Sequence, residues 1–356
     1  MTPYTLNTVY ILQRKIAHNY LLIEYLEDVK SVLRIFELKS GKHVAEIPIP
    51  IGAVSSLSCR RESSELFFKF TSFITPSTIY RLDLVDFSNT IPSIFRDTNS
   101  GIDSDHFETR QVFYTSKDGT KVPMFITSRK GLELNSESPA ILHAYGSHGN
   151  IKMPQYSSLR LPWLANFNGI FCVANVRGGG EYGQDWHYSG RRAKKQNTYN
   201  DFISAAEYLV TEGYTSKEKL AIMGGSSGGL LVGACLNQRP DLFSAGVPKC
   251  GTMDILRFHR YTIGHAWVAE YGCSDNKDDF DHLIKISPMH NVPENRNFPA
   301  VLVTTADHDD RVVPHHTLKY LATIQDKLRE TNRPIMGRIA TKTGHGFGKS
   351  TEMVRK

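Results

Sequence analysis

The chain has 356 residues, 40% hydrophobic and 22% charged, which is ordinary globular composition with enough apolar material for one large or two ordinary domains. Its net charge of +6 is mild and dispersed, and no broad basic face with stacking aromatics is present, so nucleic acid is excluded as a partner. A run of 18 apolar residues and a basic-then-apolar secretory leader are both lacking, so the reading is a cytoplasmic protein with no membrane partner.

Residues 1–100 read as a β-meander. Segments 20–25, 32–38 and 43–47 are short strands, with Lys39-Ser40-Gly41-Lys42 as the turn between the last two. Segments 66–70 and 78–84 form a second set around the Thr75-Pro76-Ser77 turn. Their spacing suits about two propeller blades of roughly 40–50 residues each. Two blades cannot close a ring, so the expected remnant is an incomplete β-propeller.

The character changes over residues 101–356. Segments 112–116 and 122–127 make a hairpin around Lys117-Asp118-Gly119-Thr120. From Pro139 onward strands and helices alternate, the signature of a parallel sheet. Strands are predicted over 139–144, 169–176, 220–223, 299–305 and 335–340, those at 169–176 and 299–305 as buried ones. Asn200 is a predicted helix cap, with Phe202, Ala205, Ala206 and Leu209 on one face and Gly213 at the helix end. Further helices are expected over 229–238 and 317–328. The basic run Arg191-Arg192-Ala193-Lys194-Lys195 reads as a solvated loop.

Gly224-Gly225-Ser226-Ser227-Gly228 stands between a strand and a helix, the context in which G-x-S-x-G presents a nucleophilic serine. A serine hydroxyl needs a base to take its proton, and the base needs an acid to fix its tautomer. Such groups follow later strands: Asp307, Asp309 and Asp310 after one, His345 after the next. The order Ser, Asp, His is that of α/β-hydrolases, whose sheet is mostly parallel and doubly wound. Spacing alone leaves the three acids undecided. Tyr145, after the strand at 139–144, could donate to an oxyanion beside the Ser227 N–H, or simply pack beside Gly146.

Arg177-Gly178-Gly179-Gly180 and the serine pentad lack the lysine of a P-loop and the order of a dinucleotide site. Both read as backbone turns. Five cysteines, an odd number with no C-x-x-C, fit a reducing compartment. The 14 histidines show no ligand spacing, so no metal and no cofactor are expected.

Asn175-Val176-Arg177-Gly178-Gly179-Gly180-Glu181-Tyr182-Gly183, Gly224-Gly225-Ser226-Ser227-Gly228-Gly229-Leu230, Tyr261-Thr262-Ile263-Gly264-His265-Ala266-Trp267 and Ala306-Asp307-His308-Asp309-Asp310-Arg311-Val312-Val313-Pro314 together resemble the prolyl oligopeptidase family of serine peptidases. The resemblance implies an α/β-hydrolase domain capped by a seven-bladed β-propeller, and cleavage of short peptides on the carboxyl side of proline through an acyl-enzyme. It implies Ser226, Asp309 and His345 as the triad, and Tyr145 with Ser227 as the oxyanion hole. Trp267 would stack on the substrate proline, with Tyr271 in the same pocket, Arg311 on a substrate carbonyl and Val312 as a wall.

Three positions depart from the family pattern. His148 stands where phenylalanine is usual, Ser227 where asparagine is usual and Thr252 where valine is usual. His148 and Thr252 make the pocket more polar, so weaker proline affinity is expected. The family also has more chain before the first residue here and a terminal helix, whereas 11 residues follow His345. The expectation is a portion clipped at both ends, less stable than the whole and monomeric. Competing readings are an oligopeptidase for basic residues, an esterase, or an inactive form serving as an interaction or regulatory protein.

Overall fold

The structure, a computed structural model, describes residues 9–85, 90–98, 103–294 and 297–346. Its first part is two antiparallel four-stranded sheets. One contains β1 (Tyr10–Ala17), β2 (Tyr20–Glu27), β3 (Lys30–Glu37) and β4 (His43–Ile47). The other contains β5 (Ala53–Cys59), β6 (Glu65–Thr71), β7 (Thr78–Asp83) and β8 (Ser93–Arg96). In each, every strand pairs with the next in sequence, which is the meander of a propeller blade.

Alternation builds both blades. Leu33 and Ile35 on β3, and Leu66, Phe68 and Phe70 on β6, point inward into one apolar layer with Leu22, Leu57 and Leu82. The strands β1, β5 and β8 escape a sequence reading for physical reasons. β1 is largely outward-facing, and all four residues of β8 are exposed, so neither carries a period of two. On β5 a register shift between Val54 and Ser56 breaks the period. The expected domain boundary at residue 100 lies outside the described residues.

The second part is an eight-stranded sheet. Its strands are β9 (Phe107–Thr115), β10 (Lys121–Arg129), β11 (Ala140–His143), β12 (Ile170–Ala174), β13 (Leu220–Gly225), β14 (Ala245–Lys249), β15 (Ala300–Ala306) and β16 (Ile335–Ala340). They lie in the order β16-β15-β14-β13-β11-β12-β10-β9. All neighbouring pairs from β12 to β16 are parallel, and the β9–β10 hairpin joins antiparallel at the β12 edge. This is the expected α/β-hydrolase sheet, mostly parallel and flanked on both faces.

The helices are α1 (Arg160–Phe167), α2 (Gly183–Tyr188), α3 (Lys195–Thr211), α4 (Ser227–Gln238), α5 (Val268–Tyr271), α6 (Lys277–Ile286) and α7 (Pro314–Lys327). Phe202 and Leu209 of α3 and Leu230 and Leu231 of α4 share a core with Leu142 and Ile222 of the sheet. Leu161 and Leu164 of α1 belong to a separate cluster with Phe125, Phe171 and Val173. Blade and sheet touch there too, since Phe73 packs on Phe125 with ring centroids 5.5 Å apart.

Two helix starts differ from the sequence expectation. α3 begins at Lys195, so Asn200 lies inside it, where its Oδ1 accepts from Gln196 Nε2 at 3.0 Å rather than capping. The basic run is therefore not all solvated loop: Lys195 is buried, and its ammonium donates to Gly146 O at 2.6 Å. α7 begins at Pro314, whose fixed φ and missing N–H suit a first turn. Gly213, at φ +75°, follows the end of α3 as expected.

One topological fact positions the site. β11 lies between β12 and β13, so the chain leaves it first to one side and later to the other. The loops after β11 and β13 diverge across the resulting crevice at the carboxyl ends of the strands.

Candidate active site

Ser226 sits between the last residue of β13 and the first of α4. Its φ of +57° and ψ of −120° are sparsely populated for any residue with a Cβ, at a cost of roughly 1–3 kcal/mol. The surroundings enforce this geometry. Its N–H donates to Lys249 O at 2.8 Å, and its carbonyl accepts from Gly229 N at 2.8 Å. The flanking glycines are required by close approach. A Cβ on Gly224 would lie 2.4 Å from Gly228 O, and one on Gly228 would lie 2.6 Å from Ala144 O. Strand, turn and helix can meet this tightly only without those carbons.

Asp309 follows β15 and is buried; His345 follows β16 and is mostly buried. His345 Nδ1 donates to Asp309 Oδ2 at 2.6 Å. Asp309 Oδ1 accepts backbone N–H groups from Arg311 at 3.1 Å and Val312 at 2.9 Å, so the carboxylate is fixed through both oxygens. Of the competing acids, Asp307 turns instead to its neighbour His308 at 2.7 Å. The Asp309–His345 pair lies beside Cys250, which directly follows Lys249, the acceptor of the Ser226 N–H.

A cleft of about 280 Å³ opens over Ser226. Tyr145, His148, Ser227, Thr252, Trp267, Tyr271, Arg311 and Val312 all line it, as do Asn150 and Ile263, which the sequence did not single out. Trp267 stacks on Phe258 with planes 14° apart. Phe258 and His148 each meet the Tyr271 ring edge-on, at 5.6 Å. The Tyr271 hydroxyl is hydrogen-bonded to Ser227 Oγ at 2.6 Å and lies 3.5 Å from His148 Nε2. Burial lowers the His148 pKa, favouring a neutral ring against the cleft.

Beneath the cleft lies a charged network that the sequence did not reveal. The Glu270 carboxylate accepts from Ser147 Oγ at 2.6 Å, from His148 N–H at 3.0 Å and from His187 Nε2 at 2.7 Å. Lys195 Nζ stands 3.6 Å from it and donates to Ser147 Oγ at 3.2 Å. Burial lowers the Lys195 pKa. For Glu270 burial acts upward, but Lys195 and the three donors outweigh it and hold the acid below the usual carboxylate range. Ser147 and Glu270 are 123 residues apart, so only folding joins them.

Glu181 is buried behind the neighbouring loop. Its Oε1 accepts from Lys152 N at 3.1 Å and Asn175 Nδ2 at 3.2 Å, while Oε2 has no partner among the described residues. Burial pushes its pKa up to about 7. A raised acid favours the protonated form in the fold, so its contribution is complete below about pH 4.3 and is lost as pH rises through 7. Glu181→Gln imitates the protonated acid. Its melting temperature relative to wild type should therefore be higher at pH 8 than at pH 5; an unchanged difference would disprove the assignment.

Comparison with known proteins bears on the family and the fold. Residues 154–356 match the family model described as "Prolyl oligopeptidase family", and residues 7–91 match its "N-terminal beta-propeller domain". The prolyl endopeptidase of Dictyostelium discoideum is 44% identical over 92% of this chain and 43% of its own length. That of Elizabethkingia miricola is 41% identical over 94% of the chain and 47% of its own length. Among solved structures, apo prolyl oligopeptidase B from Galerina marginata superposes with a TM-score of 0.88 at 37% identity, covering 94% of this chain and 48% of that one. The chain thus spans under half the length of these relatives. With both the blade part and the sheet part covered by these matches, the chain belongs to the prolyl oligopeptidase family of serine peptidases.

Proposed function

We propose that this chain is a serine-type endopeptidase that cleaves short peptides on the carboxyl side of proline. The observation that carries the reading is Ser226, held in a strained turn on the floor of a cleft that Trp267 and Tyr271 also line. Ser226 Oγ attacks the prolyl carbonyl carbon while His345 takes its proton. Asp309 holds the ring in the tautomer with Nδ1 protonated, leaving the other nitrogen free to act as base. The Tyr145 hydroxyl and the Ser227 N–H receive the oxyanion, where one such donor is worth about 10²–10³ in kcat. His345 then protonates the leaving amine, and water repeats the sequence on the acyl-enzyme.

Proline has no N–H to recognise, so selectivity must come from ring shape against a flat surface. Trp267 supplies that surface, Val312 a wall, and Arg311 a donor for a substrate carbonyl. Two of the three relatives named above carry the name prolyl endopeptidase. A basic-residue oligopeptidase would want acids on the cleft wall, and among the described lining residues none is acidic. An esterase would have no use for Trp267 and Arg311.

In this reading, residues 1–100 are the propeller part and 101–356 the catalytic domain. The reading includes a cytoplasmic setting, with an odd number of cysteines and no C-x-x-C fitting a reducing compartment. Among the described residues no helix is long and apolar enough to cross a membrane. Short proline-containing peptides are the partners, and a monomer suffices because every proposed catalytic group lies on one chain.

The test is hydrolysis of a blocked Gly-Pro amide beside a Gly-Ala amide. Proline-selective turnover is expected, and equal rates would remove the specificity claim. His148 and Thr252 place polar groups where a proline ring needs apolar contact. His148→Phe should therefore lower KM for the Gly-Pro amide several-fold, since apolar pocket changes of this size are worth roughly 1–3 kcal/mol. A raised KM would show that His148 contacts substrate productively.

A further inference from the structure

We propose that Cys250, Asp309 and His345 form an inhibitory site for a thiophilic divalent cation such as Zn²⁺. One ligand atom from each residue lies within 4.8 Å of the others. A thiol, an imidazole and a carboxylate are the donor types that zinc prefers. Three chain segments bring them together: Cys250 follows β14, Asp309 follows β15 and His345 follows β16.

The Cys250 backbone and the Asp309 carboxylate are already held from behind. The Cys250 N–H donates to Thr304 O at 2.7 Å. Asp309 Oδ1 is held by the Arg311 and Val312 N–H groups, so the metal would take Oδ2 in exchange for its bond from His345 Nδ1. Such support behind a ligand raises affinity. Asp309 is buried, while Cys250 and His345 retain partial exposure, so the ion has a solvent side from which to arrive and a position for water.

Geometry also sets the strength. Bonds of about 2.0–2.3 Å to tetrahedral zinc put ligand atoms about 3.3–3.6 Å apart. The Asp309–His345 hydrogen bond at 2.6 Å must therefore open by somewhat under ~1 Å. This cost makes the site reversible rather than structural. Binding releases the thiol proton to solvent and shifts the His345 proton from Nδ1 to Nε2, so that Nδ1 can ligate. It also separates the proposed base from its acid, so an occupied site cannot activate Ser226.

A second cluster, His259, Cys273 and Asp275, meets the same distance limit. Its carboxylate already carries Arg260, at 2.8 Å, and His259 Nε2, at 3.2 Å. A cation there must compete with a guanidinium, so the Cys250 site is favoured.

The test uses Co²⁺ as an optical stand-in for zinc, on the whole chain. A near-ultraviolet thiolate-to-cobalt absorption is expected in wild type and in Cys273→Ser. It should be lost in Cys250→Ser and in Cys250→Val, with circular dichroism confirming that the variants are folded. Zn²⁺ should displace the cobalt, and its apparent affinity should fall by about tenfold or more in both Cys250 variants, since even loss of a group behind a ligand costs about 10–100-fold. Absorption that survives both Cys250 variants, or that vanishes with Cys273→Ser, would overturn the proposal. The inhibition rests on the peptidase reading, whereas the binding does not. Zn²⁺ should therefore also suppress Gly-Pro amide hydrolysis by wild type, with chelator restoring it. Cobalt bound through Cys250 on a chain with no hydrolysis at all would refute the peptidase reading and leave the metal site standing.

Discussion

Ser226→Ala should lower kcat on a Gly-Pro amide by about 10⁴–10⁶-fold while leaving the melting temperature within a few degrees of wild type. The alanine keeps the Cβ and therefore the strain of the turn, so it removes only the hydroxyl. Ser226→Gly separates chemistry from strain. Glycine adopts φ near +57° without penalty, so this variant should be equally inactive yet more stable, with a melting temperature several degrees higher. That pair of results would mark the turn as a place where stability is given up for function. Residual activity within about tenfold of wild type in either variant would remove Ser226 from the nucleophile role. A glycine variant less stable than the alanine variant would mean that the turn is not strained.

Glu270→Leu should destabilise the protein by about 3–5 kcal/mol, because it leaves the Lys195 ammonium buried without its counter-charge. Lys195 and Glu270 side chains are each only 3% exposed, so water cannot take over. The double variant Glu270→Leu with Lys195→Met should recover most of that loss, since removing both charges is far cheaper than removing one. The pH dependence has a definite sign. Glu270 is held below the usual carboxylate range, so its stabilisation is complete above about pH 4.3 and is lost as pH falls below that value. Wild type should lose stability on that acid limb, and the double variant should show a flatter one.

The effect should reach catalysis as well. Glu270 holds the His148 N–H and Ser147 Oγ, and so fixes the loop that carries Tyr145. As a positioning residue it should change kcat more than KM. Glu270→Gln, which keeps an acceptor, should recover part of the rate. A double variant as unstable as the single one would show that the pair is not coupled.

How far the sequence reaches is clearest at Ser226. A strand followed by G-x-S-x-G and a helix is a local pattern, and its geometry follows from close packing at Gly224 and Gly228 within a few residues. The blades were legible at β3 and β6, where burial alternates residue by residue, and not at β8, where every side chain is exposed. The helix start at Lys195 was misplaced because a buried lysine looks like a solvated one until its partner is known.

The sequence by itself determined the alternation of strands and helices, the serine turn and the order Ser, Asp, His, because each is written in neighbouring residues. Spacing left the acid open and the family resemblance implied Asp309; the tertiary structure brings that acid to His345, and it alone decided that Lys195 is paired with Glu270 beneath the cleft and that Cys250 stands beside Asp309 and His345. Those contacts join segments tens of residues apart, and their energies depend on distance and burial, which composition and spacing do not contain.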